Sequence, residues 1–301
     1  MSNMTKAQRR EAARAEALAM QKKAQGRERM YRIVTLGVLG LLIAGLGIAI
    51  WLIFAESQKT PMERADNVPN GVVDETGIPV GEDGAAGTLV DGAPQLDVYV
   101  DFMCPICGQF EALNGADIAE MREGGEVALV VHPVAILDRY SQGTEYSTRA
   151  ASAVAWVADQ APEAFMEYHD LLFANQPAEN SPGLSDQQLA DFAEQAGVPA
   201  DVAQGIADGE ATSTFGDWVT AASDKAGAAD ELANAQGNFG TPTVMLDGER
   251  FEDWQTPGSL MTAVTGADTG DQADDGTEAD QGAEDSGSGS EESSSGESAG
   301  G

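Results

Sequence analysis

Thiols are scarce in this chain: its 301 residues hold two cysteines, and both fall in one tetrapeptide, Cys104-Pro105-Ile106-Cys107. Histidine is equally rare, at His132 and His169. One Cys-x-x-Cys, with histidines at a spacing that fits no common finger, argues against a zinc site built from Cys104, Cys107, His132 and His169. Basic residues are missing from most of the chain. Nine of its 16 Lys and Arg lie in the first 32 residues, and only seven follow Arg32 against 47 Asp and Glu. So acidic an exterior excludes nucleic acid as a ligand of the folded part, because phosphate binding needs clustered Lys and Arg. Residues 266–301 contain no aromatic and no branched aliphatic side chain. That stretch cannot form a core, and its low hydrophobicity and high charge mark a disordered acidic tail. It is no EF-hand either, since Ala273 and Gly282 stand where the loop beginning at Asp271 needs ligands.

Charge is also absent from residues 33–54, a run of 22 with no Asp, Glu, Lys or Arg. A helix of that length crosses a bilayer. The preceding segment, 1–32, carries nine Lys or Arg against three Glu, and positive flanks stay in the cytoplasm. The expectation is a single-pass protein of the cell membrane, with a basic cytoplasmic segment at 1–32, a transmembrane anchor at 33–54 and the remainder extracytoplasmic. Ile53-Phe54-Ala55 makes a poor signal-peptidase site, which favours an uncleaved anchor. Residues 55–87, with Pro61, Pro69, Pro79 and repeated Gly, read as a flexible linker.

The Cys pair follows a strand-like run ending at Phe102. Beyond it Phe110, Leu113, Ile118 and Met121 recur at helical spacing until Gly124-Gly125. Glu126 to His132 reads as a second buried strand, parallel to the first by the right-handed crossover rule. Helical signal then fills Glu145 to Gln160, Pro162 to Asn175, Ser185 to Ala196 and Asp201 to Ala235, with Trp156 and Trp218 as core. Strand signal returns at Thr243-Val244-Met245-Leu246, followed by an Asp247-Gly248 turn and Phe251, a hairpin pattern. A last helix should start near Thr256-Pro257.

Three segments carry a resemblance: Asp101-Phe102-Met103-Cys104-Pro105-Ile106-Cys107, His132 to Ser141, and Phe239-Gly240-Thr241-Pro242-Thr243-Val244. Together they resemble the DsbA-like branch of the thioredoxin superfamily, in the membrane-anchored form common in actinobacteria. The resemblance covers 88–265. It implies an α/β thioredoxin fold with an inserted helical domain at about 140–235, preceded here by one transmembrane helix, and a cis Thr241-Pro242 peptide. It further implies a thiol:disulfide oxidoreductase of exported, unfolded, thiol-bearing proteins, reoxidised by a quinone-linked membrane protein. No cofactor and no metal are implied.

A cysteine at a helix N-terminus faces unpaired N–H groups and the positive end of the helix dipole, which stabilise its thiolate. Cys104 is therefore the expected reactive thiol and Cys107 the resolving one. Pro105 and Ile106 help tune the pair, and Ile106 stands where the well-known oxidase has His. Because Ile106 supplies no donor to the thiolate, a weaker oxidant is expected. Thr241 and Pro242 should face the pair and receive an extended substrate. A reductase or isomerase using the same pair, and a non-catalytic binding or chaperone module, are the alternatives. His132 reads either as a satisfied core histidine or as a group tuning the thiolate, and His169 as surface or packing.

Overall fold

The computed structural model describes residues 6–57 and 60–266. The expected tail lies outside the described residues except for Gly266. Helix α1, Lys6–Ser57, is one uninterrupted helix of 52 residues, about 78 Å long at 1.5 Å per residue. It merges the basic segment and the apolar run, because no Pro and no helix-stopping signal separates them. Residues 13–54 are long and apolar enough to cross a membrane, with mean hydropathy 2.6 in the most apolar window. A single turn, α2 (Pro61–Arg64), is closed by a capping box between Thr60 and Glu63.

Five strands and seven further helices follow in chain order. They are β1 (Ile78–Val80), β2 (Gln95–Val100), α3 (Pro105–Glu123), β3 (Ala128–Pro133), α4 (Tyr146–Gln160), α5 (Phe165–Ala174), α6 (Asp186–Gln195), α7 (Ala200–Ala207), α8 (Glu210–Ala228), β4 (Thr243–Leu246), β5 (Glu249–Arg250) and α9 (Ser259–Thr265). The sheet order is β1-β3-β2-β4-β5. β2 and β3 are parallel, with Val98 opposite Val131, while β2 and β4 are antiparallel, with Tyr99 opposite Thr243. β3 is buried along its whole length, as a strand with neighbours on both sides and helices over its faces must be. β2 alternates: Leu96, Val98 and Val100 are buried, and Gln95, Asp97 and Tyr99 are partly open. Phe102, Met103, Cys107 and Phe110 continue the same core with no exposed surface. Burying each of these Phe and Met side chains so completely contributes about 1.5–3 kcal/mol.

Two expectations need correction. The segment 55–87 is not all linker, because Ile78 and Val80 are buried and β1 pairs antiparallel with β3. Trp218 Nε1 donates to the Glu75 carbonyl at 2.8 Å, holding the approach to β1 against α8. Three residues around a proline leave little periodicity to read, and Pro79 is tolerated because β1 is an edge strand. The long helix expected over 201–235 breaks into α7 and α8 at Gly209, whose φ of +78° is left-handed. That conformation is open to glycine at little cost. The 243–250 hairpin forms as the pattern requires, with Asp247 and Gly248 both at positive φ, the two-residue turn that matches strand twist.

Candidate active site

Cys104 is the N-cap of α3 and Pro105 its first residue. Proline suits that position because its missing N–H would find no partner there in any case. The amides of Cys107 and Gly108 turn back to the Cys104 carbonyl at 3.0 and 3.2 Å. Both thiols are free. Cys104 is 6 % exposed and Cys107 fully buried, while Ile106 between them is 40 % exposed. The entrance to the pair is therefore apolar. Cys104 Sγ lies 3.3 Å from the Thr241 carbonyl, to which the thiol donates. The Thr241-Pro242 peptide is cis. Thr241 Oγ1 is buried beside it without a hydrogen-bond partner.

The two thiols diverge in acidity. Cys104 is lowered from 9.0 to about 6, chiefly by the hydrogen bond from the Cys107 thiol, with help from the Cys107 and Ile106 amides and against the opposing effect of burial. Cys107 is pushed well above 9.0, first by burial and then by its neighbour Cys104. One sulfur of the pair is thus poised as a thiolate, and the other favours its proton.

Sequence reasoning missed two residues that shape this site. Asp101 is buried, and its carboxylate collects four donors. Oδ1 accepts from the Met103 amide at 2.8 Å and from Ser147 Oγ at 2.7 Å; Oδ2 accepts from the Ile136 and Leu137 amides at 2.8 and 3.0 Å. One side chain thereby ties the Cys104 loop to the turn after β3 and to the first turn of α4. Burial raises its pKa from 3.8 to about 6, against the four hydrogen bonds. Gln176, just past α5, donates Nε2 to the Phe102 and Cys104 carbonyls at 3.2 and 2.9 Å. Both contacts span long sequence separations, so no local pattern announces them. The only trace of Asp101 in the sequence is its place three residues before Cys104.

The histidines resolve differently. His132 is a satisfied core residue: Nε2 meets Asp97 Oδ1 at 2.9 Å, Nδ1 meets Thr76 Oγ1 at 3.1 Å, and the ring stacks on Tyr99 at 4.1 Å. With both nitrogens engaged, it has none to offer a thiolate. His169 is packed rather than on the surface, at 2 % exposed. Its ring meets Phe102 and Phe173 edge-on, at 5.7 and 5.0 Å. Cys104, Cys107, His132 and His169 do not assemble into a metal-binding cluster among the described residues.

A thiol pair on the first turn of a helix after a central strand, facing a Thr-Pro segment, defines a thiol:disulfide exchange site. Comparison with known proteins agrees. The family model described as Thioredoxin matches residues 87–265. The chain belongs to the thioredoxin family, in its DsbA-like branch, and its chemistry is thiol:disulfide interchange. It is similar to MdbA, a thiol-disulfide oxidoreductase from Actinomyces oris, at 27 % identity and a TM-score of 0.54, covering 69 % of this chain and 96 % of that one. It is also similar to reduced DsbA from Mycobacterium tuberculosis, at 29 % identity and a TM-score of 0.51, covering 64 % and 93 % of the two chains. Among curated proteins it matches the serine/threonine-protein kinase PknE of Mycobacterium tuberculosis, 30 % identical over 225 residues, 72 % of this chain. The chain spans 37 % of the length of that relative.

Proposed function

We propose that this protein is a membrane-tethered, extracytoplasmic oxidase that introduces disulfides into exported proteins through Cys104 and Cys107. The observation that carries the reading is the placement of Cys104: a helix N-cap, sulfur facing the Thr241 carbonyl, with the buried partner thiol Cys107 one helical turn further on. In the oxidised enzyme a substrate thiolate attacks Cys104 Sγ. The Cys104–Cys107 bond breaks, and Cys107 leaves with the electron pair and takes up a proton. A second substrate thiolate then attacks the substrate sulfur of the mixed disulfide, and Cys104 leaves as a thiolate. Two electrons have passed from substrate to enzyme. A low thiol pKa favours this direction, because a stabilised thiolate is a good leaving group and makes the disulfide more oxidising.

Thr241 and Pro242 receive the substrate segment in this reading: proline offers no N–H to compete with an extended chain laid along it. Pro105 and Ile106 set the potential. The nine basic residues before the apolar run favour a cytoplasmic N-terminus, which puts the pair in a compartment where disulfides persist. Regeneration falls to a quinone-linked membrane protein that takes the two electrons and two protons.

Equilibrating the protein with glutathione buffers and quantifying the two redox forms by mass tests this. A potential between about −120 and −170 mV supports the oxidase, whereas one near about −270 mV assigns the pair to a reductase. Absence of exchange with any thiol would leave a binding module.

A further inference from the structure

A second constellation lies one helical turn beyond the Cys pair, between α3 and α5. Glu111, His169 and Asp170 each offer a ligand atom, and these atoms lie within 4.8 Å of one another. His169 is held rigidly by the flanking Phe102 and Phe173 rings. Its Nδ1 lies 3.1 Å from Asp170 Oδ1, an arrangement that keeps the N–H on Nδ1 and leaves the lone pair on Nε2. Nε2 points to Glu111 Oε1, 3.7 Å away. That gap is too long for a hydrogen bond. It is the span bridged by a metal ion about 2.0–2.2 Å from each atom.

Glu111 faces His169 across that gap. Its side chain is 17 % exposed, and no described residue donates a hydrogen bond to it. The carboxylate and the imidazole line a cavity of about 350 Å³ whose other walls include Val98, Phe110 and Phe173. The cavity has room for the water ligands that a two-residue site requires.

We infer that Glu111 and His169 bind a first-row divalent cation, Zn²⁺, with Asp170 orienting the imidazole from behind. An imidazole ligand selects zinc or its neighbours over magnesium and calcium, which take oxygen. A carboxylate on the far ring nitrogen is the usual support of a metal-bound histidine. The ion fastens α3, which carries the Cys pair, to α5 of the helical insert.

The test is calorimetric titration of Zn²⁺ into the full-length protein in detergent, with the Cys pair oxidised so that no thiol competes. The wild type should take up a zinc ion that Glu111→Gln and His169→Asn bind at least about 10- to 100-fold more weakly, since losing a ligand costs no less than losing its support. Cobalt in place of zinc should give visible absorption bands that both variants lose. Glu111→Gln is nearly isosteric and carries the test if His169→Asn fails to fold. Equal zinc uptake at equal affinity by wild type and Glu111→Gln would assign all binding to the acidic surface and overturn the inference, as would no uptake by the wild type.

Discussion

Titrating the reduced protein from acid to alkaline pH should ionise Cys104 around pH 6 and leave Cys107 protonated. The shift from 9.0 to about 6 implies that Cys104 is about 90 % thiolate at pH 7, where an unperturbed thiol would be about 1 % ionised. The same shift stabilises the reduced enzyme at pH 7 by about 1.4 kcal/mol, equivalent to about 30 mV in a two-electron couple. The gain would approach about 90 mV at a pH where an unperturbed thiol is itself ionised. Because the hydrogen bond from Cys107 is the largest cause, Cys107→Ala should move the midpoint upward, toward an ordinary thiol. Thiolate absorbance near 240 nm and the pH dependence of iodoacetamide alkylation both read the midpoint; the small reagent is chosen because Cys104 is largely covered. A wild-type midpoint at or above about 8 would refute the reasoning. So would a midpoint that Cys107→Ala leaves in place.

Further outcomes follow from the neighbours of the pair. Asp101→Asn replaces an acceptor-only group with one that must turn an N–H toward a donor, and should destabilise the fold by about 1–3 kcal/mol in urea melts. Burial raises the Asp101 pKa from 3.8 to about 6, so the folded state holds this proton more tightly than the unfolded chain does. Its contribution is fully present below about 3.8 and lost as pH rises through about 6. The difference in unfolding free energy between wild type and Asp101→Asn should fall by about 3 kcal/mol over that window, and a flat difference would contradict the assignment. Gly108→Ala brings a methyl carbon to within 2.5 Å of Gln176 Oε1. It should push that side chain off the Phe102 and Cys104 carbonyls and change the alkylation rate of Cys104, as should Gln176→Ala; an unchanged rate in both would remove Gln176 from the site. Ile106→His, adding a donor beside the thiolate, should lower the Cys104 midpoint further and raise the measured potential.

The parts of this site legible in the sequence are those encoded locally. The Cys spacing, the strand before it, the helical periodicity after it and the Asp247-Gly248 turn are each contained in about a dozen residues. The strand at Ile78–Val80 was hidden because its partner lies some 50 residues downstream and its own composition resembles a linker. Asp101 and Gln176 were hidden for a related reason. Their hydrogen bonds join segments 35 to 74 residues apart, and a carboxylate or an amide gives no sign of whether it will be buried. For His169 the sequence left surface and packing open, and the Phe102 and Phe173 rings that decide for packing come from α5 itself and from the segment before the Cys pair.

Both borders of the sheet are poor templates for a stray strand. At one border β1 is three residues long and has a proline at its centre, with no N–H to offer; at the other β5 is only two residues long. A long, open border invites pairing by any extended chain that drifts past, and unfolded clients of the kind proposed here are such chains. With the backbone around Pro242 as the proposed seat of the extended segment, blunt borders would make capture and chemistry coincide and keep clients from accumulating along the flanks.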